Sequence, residues 1–144
     1  MKWRIGEILI RKKLIDWSHL EAGLTEQQET KEYLGEILIR QRAVPGLLFY
    51  RALAEQFHMP YVDLKHTRIN PNALGRIPRS LAQKYQMMPV EMVNDTLFLA
   101  VGDPARPWPK KEIQKLANIP RIERVLSLPS DIQDCIQEYY SPKK

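Results

Sequence analysis

At 144 residues and 44% apolar content, the chain is long enough for one domain or for two small lobes sharing a core. No apolar run approaches the roughly 20 residues that span a bilayer, and the lone Cys135 excludes an internal disulfide framework. The net charge of +5 favours an anionic partner. The basic residues are spread along the chain without a nucleic-acid-binding motif, so a nucleic-acid polymer is not expected.

The first part of the chain reads as helices. Ile5, Ile8, Leu9 and Lys12 set a short amphipathic helix. Asp16 is placed to cap a second helix carrying Trp17, Leu20 and Leu24 on one inward face. Leu34, Ile37, Leu38 and Gln41 repeat the short helix, and Pro45 sits at the first turn of a longer one with Phe49, Ala52 and Leu53 inward. The chain changes character near residue 58: only one of its eleven prolines, Pro45, precedes residue 60. Beyond that point Tyr61–Leu64 alternates like a strand, and Arg79–Tyr85 reads as a helix. Met88–Met92 and Thr96–Val101 read as strands joined at Asn94-Asp95. Lys110–Ala117 reads as a helix, Arg121–Leu126 as a strand, and Asp131–Tyr139 as a helix capped by Ser130. The fold class is α+β: a bundle of two tandem helix pairs, 1–58, packed on a small α/β lobe, 59–144.

The catalytic signatures searched for are absent. There is no G-x-x-x-x-G-K-[ST] loop, no G-x-G-x-x-G and no G-x-S-x-G. His19, His58, His66 and Cys135 have no metal-ligand spacing, and Cys135 reads as a buried, inert thiol on an amphipathic helix.

The strong signal is a repeat. Gly6-Glu7-Ile8-Leu9-Ile10-Arg11 returns as Gly35-Glu36-Ile37-Leu38-Ile39-Arg40. Leu24, Glu26 and Gln27 return at the same offset as Leu53, Glu55 and Gln56, Leu20 is answered by Phe49, and Ile5 by Leu34. Two copies of one supersecondary unit are expected to pack together. Amphipathicity alone would not repeat Glu7, Arg11 and Gln27, so the copies are expected to do one job twice, on a ligand that is itself two-fold. Gly6 and Gly35 allow close approach to a helix start, where amide N–H groups suit phosphate oxygens; equally, they serve as close-packing points between core leucines. Arg4 offers a bidentate clamp, and Gln27 and Gln56 both donate and accept.

The segment Arg4 to Gln27 resembles the 24-residue motif of the N-terminal domain of type II secretion and type IV pilus ATPases, the MshEN domain, and Tyr33 to Gln56 is a second copy. Ala100-Val101-Gly102-Asp103-Pro104 and Ile136-Gln137-Glu138-Tyr139-Tyr140 resemble its second-lobe turn and closing helix. The resemblance implies a non-catalytic regulatory module for the bacterial second messenger cyclic di-GMP. Position by position, it implies that Arg4 contacts a guanine or phosphate, with Lys2 where some members carry an arginine. Ile5, Leu20 and Leu24 would line one half-site, and Leu34, Phe49 and Leu53 the other. Gln27 and Gln56 would hydrogen-bond at the ends of the copies, and Asp103 would accept from a guanine Watson–Crick edge.

Three positions depart from the family pattern. Lys13 and Arg42 replace its mid-motif glycine, and Tyr33 opens the second copy where the first has arginine. If that glycine needs positive φ, the loops must adjust. The implied host is a secretion or pilus ATPase, or a membrane glycosyltransferase of the exopolysaccharide or phage-receptor type, at the cytoplasmic face of the inner membrane. The Lys143-Lys144 ending reads as a natural chain end. Two other readings stay open beside the receptor: a ligand-free docking domain of such an assembly, and, with no residue arrangement in its favour, an enzyme acting on a nucleotide.

Overall fold

The computed structural model describes residues 5–140, which divide into two compact units between His58 and Met59. Lys2, Arg4 and the Ser141–Lys144 ending lie outside the described residues.

The first unit is helical: α1 (Ile5–Arg11), α2 (Trp17–Thr30), α3 (Leu34–Arg40) and α4 (Gly46–Gln56). Asp16 caps α2 as its sequence suggests, its carboxylate accepting from the His19 N–H while the His19 ring accepts from the Asp16 N–H. The Ser18 hydroxyl, then the His19 N–H, hold the Asp16 carboxyl below its ordinary range. Pro45 stands one residue before α4, as its N-cap. Leu9, Ile15, Leu20, Leu38, Val44 and Phe49 are buried. The inward face expected of α2 is turned: Leu20 and Gly23 are buried, whereas Trp17 and Leu24 are 63% and 43% exposed. Gly23 explains the rotation, because a Cβ there would lie 3.0 Å from Leu34 and 3.1 Å from Leu38; this small residue is the contact. Lys12 and Gln41 follow the short helices and are exposed rather than inward.

The turns after α1 and α3 are the same structure twice. Leu14 N–H donates to Leu9 O and Lys13 N–H to Ile10 O, each at 2.9 Å. Ala43 N–H donates to Leu38 O and Arg42 N–H to Ile39 O, at 2.9 and 3.0 Å. Both are Schellman closures, which place the residue after the C-cap in the left-handed region. Lys13 and Arg42 occupy it, at φ 61° and 60°. The loops therefore keep positive φ with side chains in place of glycine and do not adjust. A non-glycine residue pays about 1–2 kcal/mol for this conformation, and glycine costs part of that back in entropy. Lys13→Gly and Arg42→Gly are each expected to stabilise the chain by about 0.5–1 kcal/mol, read as a raised melting temperature. A lowered one would show that these long side chains contribute packing that outweighs the strain.

The second unit is an α/β layer pair. Its helices are α5 (Pro71–Leu74), α6 (Arg79–Tyr85), α7 (Lys110–Ala117) and α8 (Pro129–Tyr139); its strands are β1 (Met87–Val93), β2 (Thr96–Val101) and β3 (Arg121–Leu126). The sheet runs β1-β2-β3, antiparallel then parallel, with a bulge between Pro89 and Glu91. Asn94, at φ 55°, turns β1 into β2. Leu97, Leu99, Met88, Ile113, Ile132 and Ile136 centre the core.

Two expectations fail here, and one element is new. Tyr61–Leu64 is no strand: Tyr61 makes one parallel bridge to Leu126, and Leu64–His66 is a 3-10 turn nucleated by Asp63, which accepts from Lys65 N–H. Ser130 does not cap the last helix; Leu128 is its N-cap and Pro129 its first residue, the position where a missing N–H costs nothing. Helix α5, started by the Asn70 side chain and Pro71, was not foreseen. The α+β class stands.

Candidate functional site

The repeat governs the geometry of the first unit. Helix α1 packs against α4, and α2 against α3, so each copy's short helix meets the other copy's long one. Ion pairs follow the same exchange. Lys12 Nζ meets Glu55 at 2.7 Å, and Arg40 meets Glu26, the counterpart of Glu55 in the first copy; the two cations stand one repeat position apart, so the exchange is exact for the glutamates and approximate for their partners. A contact pattern in which copy one gives to copy two what it receives is that of a local two-fold axis. Arg40 also reaches Glu32 at 2.7 Å. That guanidinium holds the Glu32 carboxyl below its ordinary range, and the carboxylates Glu32 and Glu26 raise Arg40 in turn.

The two glycines serve the same packing role in each copy. A Cβ on Gly6 would stand 2.7 Å from Leu20 Cδ1; one on Gly35 would stand 2.1 Å from Phe49 Cζ. Neither glycine has positive φ. The group that approaches these helix starts is thus the chain's own Leu20 or Phe49, both buried. Phe49 is fixed further by Tyr50, ring centroids 5.2 Å apart and edge-on.

The other residues singled out from sequence fall as follows. Ile5, Leu34 and Leu53 are half-buried, Leu24 is exposed, and Tyr33 is 67% exposed immediately before α3. Gln27 is half-buried and donates to Glu32 O at 3.1 Å, tying the end of α2 to the link into α3. Gln56 is half-buried at the end of α4. Asp103 belongs to the second unit, in the turn after β2. Its Oδ1 accepts from Ala105 N–H at 3.0 Å and its backbone carbonyl from Arg106 N–H at 3.2 Å, an Asx-type turn.

Sequence reading missed what surrounds that turn. Arg124, on β3, lies over the Trp108 ring at 5.2 Å and donates to Pro104 O at 3.3 Å. Burial lowers the Arg124 pKa, and the Asp103 charge opposes the shift. Nothing in the spacing of Asp103, Trp108 and Arg124 signals this group, because a strand pairing brings it together. Glu26 and Glu55, by contrast, were visible as a repeated pair; only their partners were not.

Among the described residues no group of three or more His, Cys, Asp or Glu is placed to hold a metal ion. No helix among them is long and apolar enough to cross a membrane. Cys135 is half-buried, and burial followed by Glu138 and Asp131 pushes its thiol up to about 11. An open groove of about 430 Å³ lies beside the β1–β2 turn, between Asn94 and Arg121; none of the site candidates lines it.

Two tandem helix pairs followed by a three-stranded α/β unit define the fold class, α+β. The family model for the MshEN domain matches residues 57–144, and the chain belongs to the MshEN domain family. The type IV pilus assembly ATPase PilB of Myxococcus xanthus is 27% identical over 99% of this chain, which covers 25% of that protein. Bacteriophage adsorption protein B of Escherichia coli K12 is 25% identical over 69% of the chain, covering 13% of its own length. The chain thus spans a quarter or less of these relatives. Among solved structures, that of MshE with cdg superposes at a TM-score of 0.83 and 24% identity, covering 96% of this chain and 99% of that one.

Proposed function

We propose that this domain is a receptor for cyclic di-GMP, binding one molecule per chain through its two motifs, 4–27 and 33–56, and that Asp103 completes the site. The observation that carries the proposal is the reciprocal pairing of the two copies, α1 with α4 and α2 with α3, in which the counterpart glutamates Glu55 and Glu26 each take a cation from the other copy. Cyclic di-GMP is itself two-fold, with two guanines, two riboses and two phosphates, so each copy meets one half. Support comes also from family membership and from the structural neighbour, which was solved with cdg.

In this reading Arg4 and Lys2 supply charge to the first half-site. Tyr33, in the second, supplies a ring for a base to stack on. Ile5, Leu20 and Leu24, and their counterparts Leu34, Phe49 and Leu53, form the apolar walls over Gly6 and Gly35. Gln27 and Gln56 hydrogen-bond at the ends. The Asp103 carboxylate spends Oδ1 on its own turn, leaving Oδ2 to accept from guanine N1–H and N2–H. The attached machine is a pilus or secretion ATPase, or a protein of the phage-adsorption kind with a glycosyltransferase, at the cytoplasmic face of the inner membrane. Ligand biases that host by its difference in affinity between two arrangements of the domain.

Calorimetric titration with cyclic di-GMP, with GTP and cyclic di-AMP as controls, tests the proposal. Selective heat near one equivalent per chain is the expected result. The exposed rings of Trp17 and Tyr33 favour one second reading, a docking domain that engages its assembly without a nucleotide. No heat, and no change of melting temperature at high ligand, would decide for it.

A further inference from the structure

The group behind Asp103 is built around a cation that makes no salt bridge among the described residues. Arg124 is held on two sides: its guanidinium lies over the Trp108 ring, 5.2 Å from the centroid, and Pro104 O accepts from Nη2 at 3.3 Å. Pro104 is itself buried, so the carbonyl and the ring are fixed points. β3 adds rigidity, since Arg124 pairs in register with Leu99 on β2, the strand that leads into the turn. A guanidinium both stacks and donates in its plane, which an ammonium does not. The nearby Asp103 carboxylate adds attraction along the same direction.

We propose that Arg124, clamped between the Trp108 ring and the Pro104 carbonyl, is the positioning residue that holds the Gly102–Arg106 turn so that Asp103 presents its carboxylate to a guanine edge. The proposal rests on the receptor reading given above. Arg124 itself touches no ligand in it. Its work is done before binding: it orders the turn, so that ligand does not bear the cost of ordering it. Trp108 belongs to the same device, as the surface that fixes the guanidinium plane.

The test has two arms on the intact chain. In the first, backbone amide order parameters of Gly102, Asp103, Ala105 and Arg106 are measured by NMR without ligand, for the wild type, Arg124→Ala and Arg124→Lys. In the second, the same three proteins are titrated with cyclic di-GMP. In Arg124→Ala the turn is expected to loosen while Leu97 and Leu99 keep their order, and affinity is expected to fall about tenfold, the worth of one charge-assisted hydrogen bond. Arg124→Lys is expected to fall between, because it keeps the charge and loses the stacked fork. An unchanged turn in Arg124→Ala overturns the proposal whatever the affinity does. So does wild-type affinity in a variant whose turn has loosened. If the wild type itself shows no binding, the receptor reading fails and the ligand role of Arg124 fails with it; the order parameters then still decide whether Arg124 holds the turn.

Discussion

Gly35→Ala is expected to lower the melting temperature, although alanine is the better helix former by about 1 kcal/mol. Gly35 lies in the first turn of α3 with ordinary negative φ, so no conformational argument protects it. Space does. The added methyl would stand 2.1 Å from Phe49 Cζ and 2.3 Å from Cε2, far inside contact distance. Phe49 is 4% exposed and set edge-on against Tyr50 at 5.2 Å, so its ring has nowhere to swing without opening a void. Overpacking of this kind costs about 1–3 kcal/mol, and with a rigid ring as the obstacle the upper part of that range applies, so that after the helix gain a net loss of up to about 2 kcal/mol is left. Gly6→Ala is the internal control. There the nearest atom is Leu20 Cδ1 at 2.7 Å, the tip of a flexible side chain, and the net change is expected near zero. Phe49→Leu restores in the second copy the Gly and Leu pairing of the first, so Gly35→Ala with Phe49→Leu is expected to lose less than the two single changes summed. A rise in melting temperature for Gly35→Ala would show that packing does not require the glycine, and would return it to the alternative of close approach by a ligand.

The repeat made the first unit legible because it recurs in polar as well as apolar residues. Equal offsets at Gly6/Gly35 and Leu20/Phe49 became equal contacts within each copy, and Glu26/Glu55 became ion pairs between the copies, α1 packing on α4 and α2 on α3. What the pattern hid was the facing of α2. A 3.6-residue count puts Trp17, Leu20 and Leu24 on one stripe, but the helix buries Gly23 beside Leu34 and Leu38 and leaves Trp17 outside. Hydropathy scores a glycine as nothing to bury, so a close helix contact through it is invisible. The Lys13 and Arg42 turns misled in the same way. Their residue types argue against positive φ, while the Schellman bonds from Leu14 and Ala43 impose it. In the second unit β2, α6, α7 and β3 follow local periodicity. The four alternating residues Tyr61–Leu64 were too few to tell a strand from a segment that touches Leu126 once. The Arg124, Trp108 and Pro104 group was beyond any local reading, because β3 must pair with β2 before its members meet.

Asp103→Asn is expected to cost cyclic di-GMP affinity about tenfold to a hundredfold while leaving the melting temperature in place. Asparagine separates the two roles of this side chain. Its amide oxygen still accepts from Ala105 N–H, now 3.0 Å from Oδ1, so the turn keeps its closing bond. What it loses is the second acceptor and the charge. With the first oxygen kept on the turn, the carboxylate offers Oδ2 to guanine N1–H and N2–H, whereas asparagine turns its –NH₂ there, donor against donor. The unpaired donors left on the guanine are the main source of the loss. Asp103→Ala would also remove the bond to Ala105, so its effect would mix ordering with recognition. Asp103→Glu keeps charge and both acceptors but moves them a methylene away, and is expected to lose affinity without losing the preference over cyclic di-AMP. Calorimetry on these variants beside the wild type, with melting curves for each, reads both quantities. Wild-type affinity in Asp103→Asn would remove Asp103 from the site and leave the two motifs of the helical unit to account for any binding by themselves.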